Sequence, residues 1–165
     1  MENRRILGLD PGTQIMGYGL IEGDPPKALA WGTFVAPRKS LGQRLFFLYR
    51  RLEELLDKYS PQEAAVEEPF VFVARNPRSA IAVGQAQALA FLACAGRGIP
   101  IRSYLPTRVK AAVAGYGRGG KEQVQEMIRL QLGLAEAPGP DAADALAVAL
   151  CHLYHTRRQE LIGEE

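Results

Sequence analysis

Four carboxylates stand at positions where a purely structural chain would gain little from them. Asp10 ends the apolar run Ile6-Leu7-Gly8-Leu9, and Glu67 ends Ala64-Ala65-Val66. Asp141 and Asp144 lie three residues apart at the head of a long apolar stretch. A carboxylate closing a strand sits at the sheet edge where open α/β folds bind ligands. Two aspartates at i and i+3 in the first turn of a helix project from one face and repel unless a cation lies between them. Taken singly, each has a structural explanation. Asp10 would be a turn former before Pro11-Gly12, Glu67 a charge at a strand end, and Asp141 a helix cap. Capping accounts well for one aspartate and only partly for the second. Three or four carboxylates together suit a hard divalent cation such as Mg²⁺. Beside an anion-binding surface they fit two-metal phosphodiester chemistry, with one ion activating water and the other stabilising the leaving oxygen.

The charge distribution offers such a surface. No Asp or Glu occurs between Pro69 and Lys121, whereas eight basic residues do: Arg75, Arg78, Arg97, Arg102, Arg108, Lys110, Arg118 and Lys121. That segment carries +8, and the remaining 12 basic and 18 acidic residues carry −6. An acid-free cationic stretch on an otherwise acidic protein reads either as a polyanion-binding surface or as clustered solvated charge. With the carboxylates nearby, residue types and spacing point to a metal-dependent enzyme acting on nucleic acid.

The elements that must hold these groups follow from periodicity. Ile6–Asp10, Met16–Glu22 and Leu29–Val35 read as three strands of an antiparallel meander, joined by turns at Pro11-Gly12-Thr13 and Asp24-Pro25-Pro26. Leucines at helical spacing mark a helix from Leu41 to Tyr59. A strand through Ala64-Ala65-Val66 precedes a helix from Ser79 to Ala95, with Ser79 as its cap. This helix is apolar or small on nearly every side, so the core or a second subunit must cover it all round. Ile99–Tyr104 is a further strand, and Thr107 caps a short helix to Ala114. After the glycine-rich Gly115–Gly120 come helices from Lys121 to Leu132 and from Asp141 to about Arg157, with a polar tail from about 158. The order predicts one domain over 1–165: an α/β fold with a mixed sheet, helices on both faces and the first strand central.

Composition excludes other classes. At 165 residues, 47% hydrophobic and 23% charged, the chain is neither disordered nor a disulfide-dependent miniprotein. Cys94 and Cys151 lie in apolar helical stretches and read as reduced core residues of a cytoplasmic protein. No apolar run reaches the ~20 residues of a membrane span, and the start of the chain lacks a secretory pattern.

Several of these segments, taken in order, resemble the bacterial RuvC-type Holliday-junction resolvases. They are Ile6-Leu7-Gly8-Leu9-Asp10-Pro11-Gly12-Thr13 with Gly17-Tyr18-Gly19, Ala65-Val66-Glu67-Glu68, Gly84-Gln85-Ala86, and Val109-Lys110 with Gly115. The last, Asp141-Ala142-Ala143-Asp144-Ala145-Leu146-Ala147-Val148-Ala149 with His152, is specific when it occurs together with Glu67. The resemblance covers nearly the whole chain. It implies a ribonuclease H-like five-stranded fold, a homodimer, and paired nicking of four-way DNA junctions in recombination and repair. It further implies dependence on Mg²⁺ or Mn²⁺, with two ions per site, and cooperation with the branch-migration proteins RuvA and RuvB. By motif position the family's metal-binding carboxylates fall on Asp10, Glu67, Asp141 and Asp144. Glu67 is preferred to Glu68 because it follows the apolar run directly. The family's aromatic residue at the junction centre matches Phe70, with Phe72 close by, and its DNA-contacting lysines match Lys110 and Lys121. Arg75 and Arg118 of the basic segment complete the candidate DNA contacts.

Competing readings fare worse. An actin-like ATPase shares the opening motif but needs a second domain, and the glycine-rich loop lacks the Ser or Thr of a phosphate-binding P-loop after Lys121. A YqgF-type nuclease would share fold and opening, and a junction-binding module would not need all four carboxylates. His152 and His155 read as surface or core residues, because a metal-activated water needs no imidazole base.

Overall fold

The first three strands form the expected meander: β1 (Arg5–Asp10), β2 (Ile15–Glu22) and β3 (Lys27–Val35). They belong to a computed structural model that describes residues 3–68, 76–114 and 120–163. Then follow α1 (Leu41–Tyr59), β4 (Glu63–Glu67), α2 (Pro77–Ala95), β5 (Ile101–Tyr104), α3 (Pro106–Ala114), α4 (Lys121–Leu132) and α5 (Pro140–Gly163). The sheet order is β3-β2-β1-β4-β5, with β4 and β5 added parallel to a central β1. It is the mixed five-stranded sheet expected from the pattern.

Each face of the sheet carries its own core. On one face α1 and α2 bury Leu48, Leu52, Leu56, Ala86, Ala90 and Cys94 against Leu7, Leu9 and Val66. On the other, α3, α4 and α5 cover Ile6, Ala65 and Tyr104 with Val109, Ile128 and the run from Leu146 to Cys151. Both cysteines are buried and unbridged.

Helix α5 reaches the sheet because three strand glycines make room for it. A Cβ on Gly8 would lie 1.9 Å from the Ala145 carbonyl oxygen, and one on Gly17 would lie 2.3 Å from that of Asp141. On Gly19 it would meet Leu146 Cγ at 2.6 Å. No residue with a side chain fits there, so the alanine-rich start of α5 lies flat against β1 and β2.

Farther along the same helix His152 is buried between two partners. Tyr104 Oη lies 2.7 Å from Nδ1, and Glu63 Oε2 lies 3.0 Å from Nε2. The tyrosine hydroxyl donates to Nδ1, and the Nε2 proton is donated to the carboxylate, which suits a neutral ring. Burial holds the imidazole below its usual pKa, although the Glu63 hydrogen bond pulls the other way. His152 is thus a satisfied core residue.

Several details depart from the sequence reading. The α2 cap is Asn76, whose side chain accepts from Ser79 N at 3.3 Å, and α3 starts at Pro106 rather than after Thr107. Proline at the start of a helix wastes no hydrogen bond, so it extends the helix N-terminally. Helix α5 runs on to Gly163, past the expected end near Arg157, where Arg4 holds Thr156 and Glu160. Within one chain the core covers a single side of helix α2, which leaves the other side for the second subunit that the sequence reading allows. Ala86, Ala90, Ala93 and Cys94 are buried, whereas Ile81 and Leu92 are 62% and 63% exposed.

Candidate active site

Asp10 is the last residue of the central strand and pairs in register with Gly17. Glu67 ends the adjacent parallel strand, one residue beyond the Leu9–Val66 pair, so both carboxylates leave the sheet at one edge. Side chains alternate along a strand. Glu67 therefore shares the α5 side with Ala65 and Glu63, and Glu68 does not. The close seating of α5 at Gly8 and Gly17 brings Asp141 and Asp144 to the same edge.

The electrostatics show how closely these groups are gathered. Burial, then repulsion from Asp144, Glu67 and Asp141, pushes the Asp10 carboxyl up to about 8, against the opposing pull of Lys121. Burial and Asp144 push Glu67 up to about 7. Asp144 is raised by burial and by Asp141, while Lys121 lowers it. Asp10 and Glu67, raised this far, hold protons near neutral pH for want of a counter-charge. A site of oxygen donors alone, with unmet demand for positive charge, fits hard divalent cations. The side chains are nonetheless held apart. Among the described residues no three His, Cys, Asp or Glu converge closely enough to hold one ion between them.

Lys110 and Lys121 reach the same place. A cleft of about 160 Å³ is lined by Glu67, Asp144, Lys110, Lys121, Gly120 and the apolar wall of Pro106, Val109, Val124 and Ala147. The sequence reading missed that wall, whose signal is the amphipathic spacing of α3 and α4. The eight-cation segment does not make one surface, however. Arg97 turns to α1, donating to Asp57 at 2.9 Å and Glu53 at 3.3 Å, and Arg102 and Arg108 lie over the Tyr104 ring, each 5.8 Å from its centroid. Phe70, Phe72, Arg75 and Arg118 lie outside the described residues.

The chain matches the family described as crossover junction endodeoxyribonuclease RuvC over residues 6–152. A protein of that description from Alkalilimnicola ehrlichii is 47% identical, over 94% of each chain. One from Dehalococcoides mccartyi is 48% identical, over 93% of this chain and 92% of its own. The structure of T. thermophilus RuvC in complex with Holliday junction substrate matches with a TM-score of 0.87 at 35% identity, over 94% of this chain and 96% of that one. The yeast mitochondrial Holliday junction resolvase Ydc2 shares the fold, with a TM-score of 0.61 at 15% identity over 95% and 85%.

Proposed function

This chain belongs to the crossover junction endodeoxyribonuclease RuvC family, and on that premise we propose how it resolves four-way DNA junctions by paired, symmetric nicks. It is a divalent-metal-dependent nuclease of ribonuclease H-like fold. The observation that carries the reading is the meeting of Asp10, Glu67 and Asp144, mutually repelling and half-buried, with Lys110 and Lys121 at one sheet edge. In this reading Asp10, Glu67, Asp141 and Asp144 hold two Mg²⁺ ions, or Mn²⁺ in their place. When bound, the ions supply activation of the attacking water and charge stabilisation at the leaving oxygen. Lys110 and Lys121 hold the phosphate backbone against the carboxylates, with Arg75 and Arg118 as further phosphate contacts. Phe70 stacks on an unpaired base at the junction centre, a contact worth about 1–3 kcal/mol. The apolar wall of the cleft limits water at the reacting phosphate.

Paired nicks need two sites related by a two-fold axis, and a homodimer is the simplest way to supply them. Helix α2 presents Ile81, Gly84, Ala88 and Leu92 on its outer side, at helical spacing, with nothing within 4 Å of a Cβ built on Gly84. We assign the dimer contact to that stripe. Ala86 and Ala90 belong to the monomer core, and arginine there would unfold the protein. RuvA and RuvB are the proposed branch-migration partners and the cytoplasm the proposed location. No helix of the described residues is long and apolar enough to cross a membrane.

The test is to map nicks on four-way, Y-shaped and linear DNA with Mg²⁺. Paired nicks confined to the four-way substrate are expected, and equal cutting of linear duplex would sink the reading. Leu92→Glu should give a monomer in sedimentation that binds junctions weakly and loses paired nicking. A wild-type monomer at micromolar concentration with full paired nicking would overturn the dimer.

A further inference from the structure

The acidic flanks of the chain hide a second acid-free stretch. From Pro25 to Leu52 there is no Asp or Glu, while Lys27, Arg38, Lys39, Arg44, Arg50 and Arg51 occur. Arg50 and Arg51 pair with Glu53 and Glu54 one helical turn on. Arg38, Lys39 and Arg44 form no ion pair among the described residues. These three instead line a cleft of about 560 Å³, larger than the active-site cleft, together with Gln14, Ile15, Val35, Ala36 and Pro37. No acidic residue lines it. Val35 and Ile15 are 61% and 43% exposed and form an apolar floor beneath the cations.

The position of this cleft gives it meaning. The start of β2 and the end of β3 lie at the same end of the sheet as Asp10, because Asp10 pairs with Gly17 and Ile15 with Val35. Arg44 ties the two places together, with Nε 3.4 Å from the carbonyl oxygen of Thr13 and Nη1 3.1 Å from that of Lys39. Thr13 belongs to the turn that follows Asp10. The acidic cluster is therefore flanked by cations on both sides: Lys110 and Lys121 toward β5, and Arg38, Lys39 and Arg44 toward β3. Strands are spaced by about 4.8 Å, so β3 lies about 10 Å from β1, roughly three base-pair steps of duplex.

We propose that Arg38, Lys39 and Arg44 form a second phosphate-backbone site, holding the duplex arm that leaves the active site across the β3 edge of the sheet. The proposal rests on the nuclease reading and extends it. Two aligned anchors fix the scissile phosphate over the carboxylates against their own repulsion, which a single anchor on the β5 side would let swing away. Arg44 shapes the cleft through its carbonyl contacts, while Arg38 and Lys39 are exposed donors for the backbone.

The test measures binding of four-way junctions, in Ca²⁺ or metal-free buffer, as a function of salt. Arg38→Ala/Lys39→Ala should lower the slope of log affinity against log salt by about 2, at about 0.9 per phosphate contact. The gap from wild type should then shrink about tenfold between 50 and 200 mM salt. Junctions with arms cut too short to cross the β3 edge should bind both proteins alike, whereas Lys110→Ala/Lys121→Ala should weaken binding whatever the arm length. Circular dichroism confirms folding, and Arg38→Glu/Lys39→Glu should enlarge the effect. A wild-type salt slope in both variants, or equal losses on short and long arms, overturns the proposal. If the wild-type protein does not prefer four-way to linear DNA, the nuclease reading fails instead.

Discussion

Glu63 and Glu67 stand at opposite ends of β4, face the same helix, and meet opposite fates. They stand four positions apart on the strand, about 13 Å, and Asp144 and His152 stand eight positions apart on the helix, about 12 Å. Strand and helix thus run alongside each other, and each glutamate receives one titratable residue from α5. Glu63 receives His152, itself bonded to Tyr104, so both ring nitrogens and the tyrosine hydroxyl have a partner. Glu67 receives Asp144, with Asp10 adjoining, and the three acids repel one another, Lys121 opposing the repulsion at Asp10 and Asp144. One scaffold geometry therefore serves cohesion at one end and conflict at the other. Local conflict of this kind marks the place where a protein forgoes stability for function.

The comparison breaks most visibly in activity. Asp144→Asn or Asp10→Asn is expected to lower nicking of four-way junctions about a thousandfold or more while leaving binding largely intact, since losing cation-assisted charge stabilisation costs several kcal/mol. Gel-shift and nicking assays on one preparation check both halves. Wild-type nicking by Asp144→Asn would remove α5 from the chemistry.

The satisfied end should answer in stability instead. His152→Leu leaves the Tyr104 hydroxyl buried without its partner, and we expect a loss of about 2–3 kcal/mol in urea unfolding. The protein that remains folded should nick within a few-fold of wild type. A thousandfold loss of activity here would dissolve the distinction between the two ends.

A finer test uses pH, because the two ends titrate in opposite senses. Asp10 and Glu67 have folded-state pKa values raised from 3.8 to about 8 and from 4.5 to about 7. Their contribution is fully present below the ordinary carboxylate value and is lost as pH rises through about 7–8. For His152 the folded value is depressed, so its contribution is present above 6.5 and is lost as pH falls through the folded value. In metal-free buffer, Asp10→Asn should gain stability over wild type by about 1–2 kcal/mol at pH 8 and by almost nothing at pH 4. Thermal melts across that range decide it; an equal gain at both pH values would mean that charge is not the cause.

A last test reads cation binding as stability. Mg²⁺ at 100 times its dissociation constant should stabilise wild type by about 2.7 kcal/mol and Asp10→Asn by less. Equal stabilisation of both proteins would indicate that Mg²⁺ binds somewhere other than this edge.

Much of this was legible beforehand, for reasons that particular residues make plain. Asp10 and Glu67 announce themselves because apolar runs end abruptly at them, and α1 because its leucines keep a single 3.6-residue stripe. The rotation of α2 was not legible: a helix built from alanine, glycine and glutamine has no polar face to tell Ala86 from Ala88. Nor did the local sequence reveal that Arg97 spends its charge on Asp57 and Glu53, since that pairing depends on how α1 and α2 pack. The cationic cleft at Arg38 and Lys39 is hidden in the net charge of its flank, which also contains the acids of α1.

The glycines beneath α5 behave as zero-thickness shims. Because the Asp141 carbonyl already rests where a Gly17 methyl would go, the gap between the acids of the strand and those of the helix is machined by backbone against backbone. The helix has no slack in which to back away from Asp10, so the carboxylates can ease their repulsion only by turning their side chains, by taking up protons, or by admitting a cation. A single methyl at Gly8 or Gly17, touching neither DNA nor any ligand, would reset that gap by prying the helix off its seat.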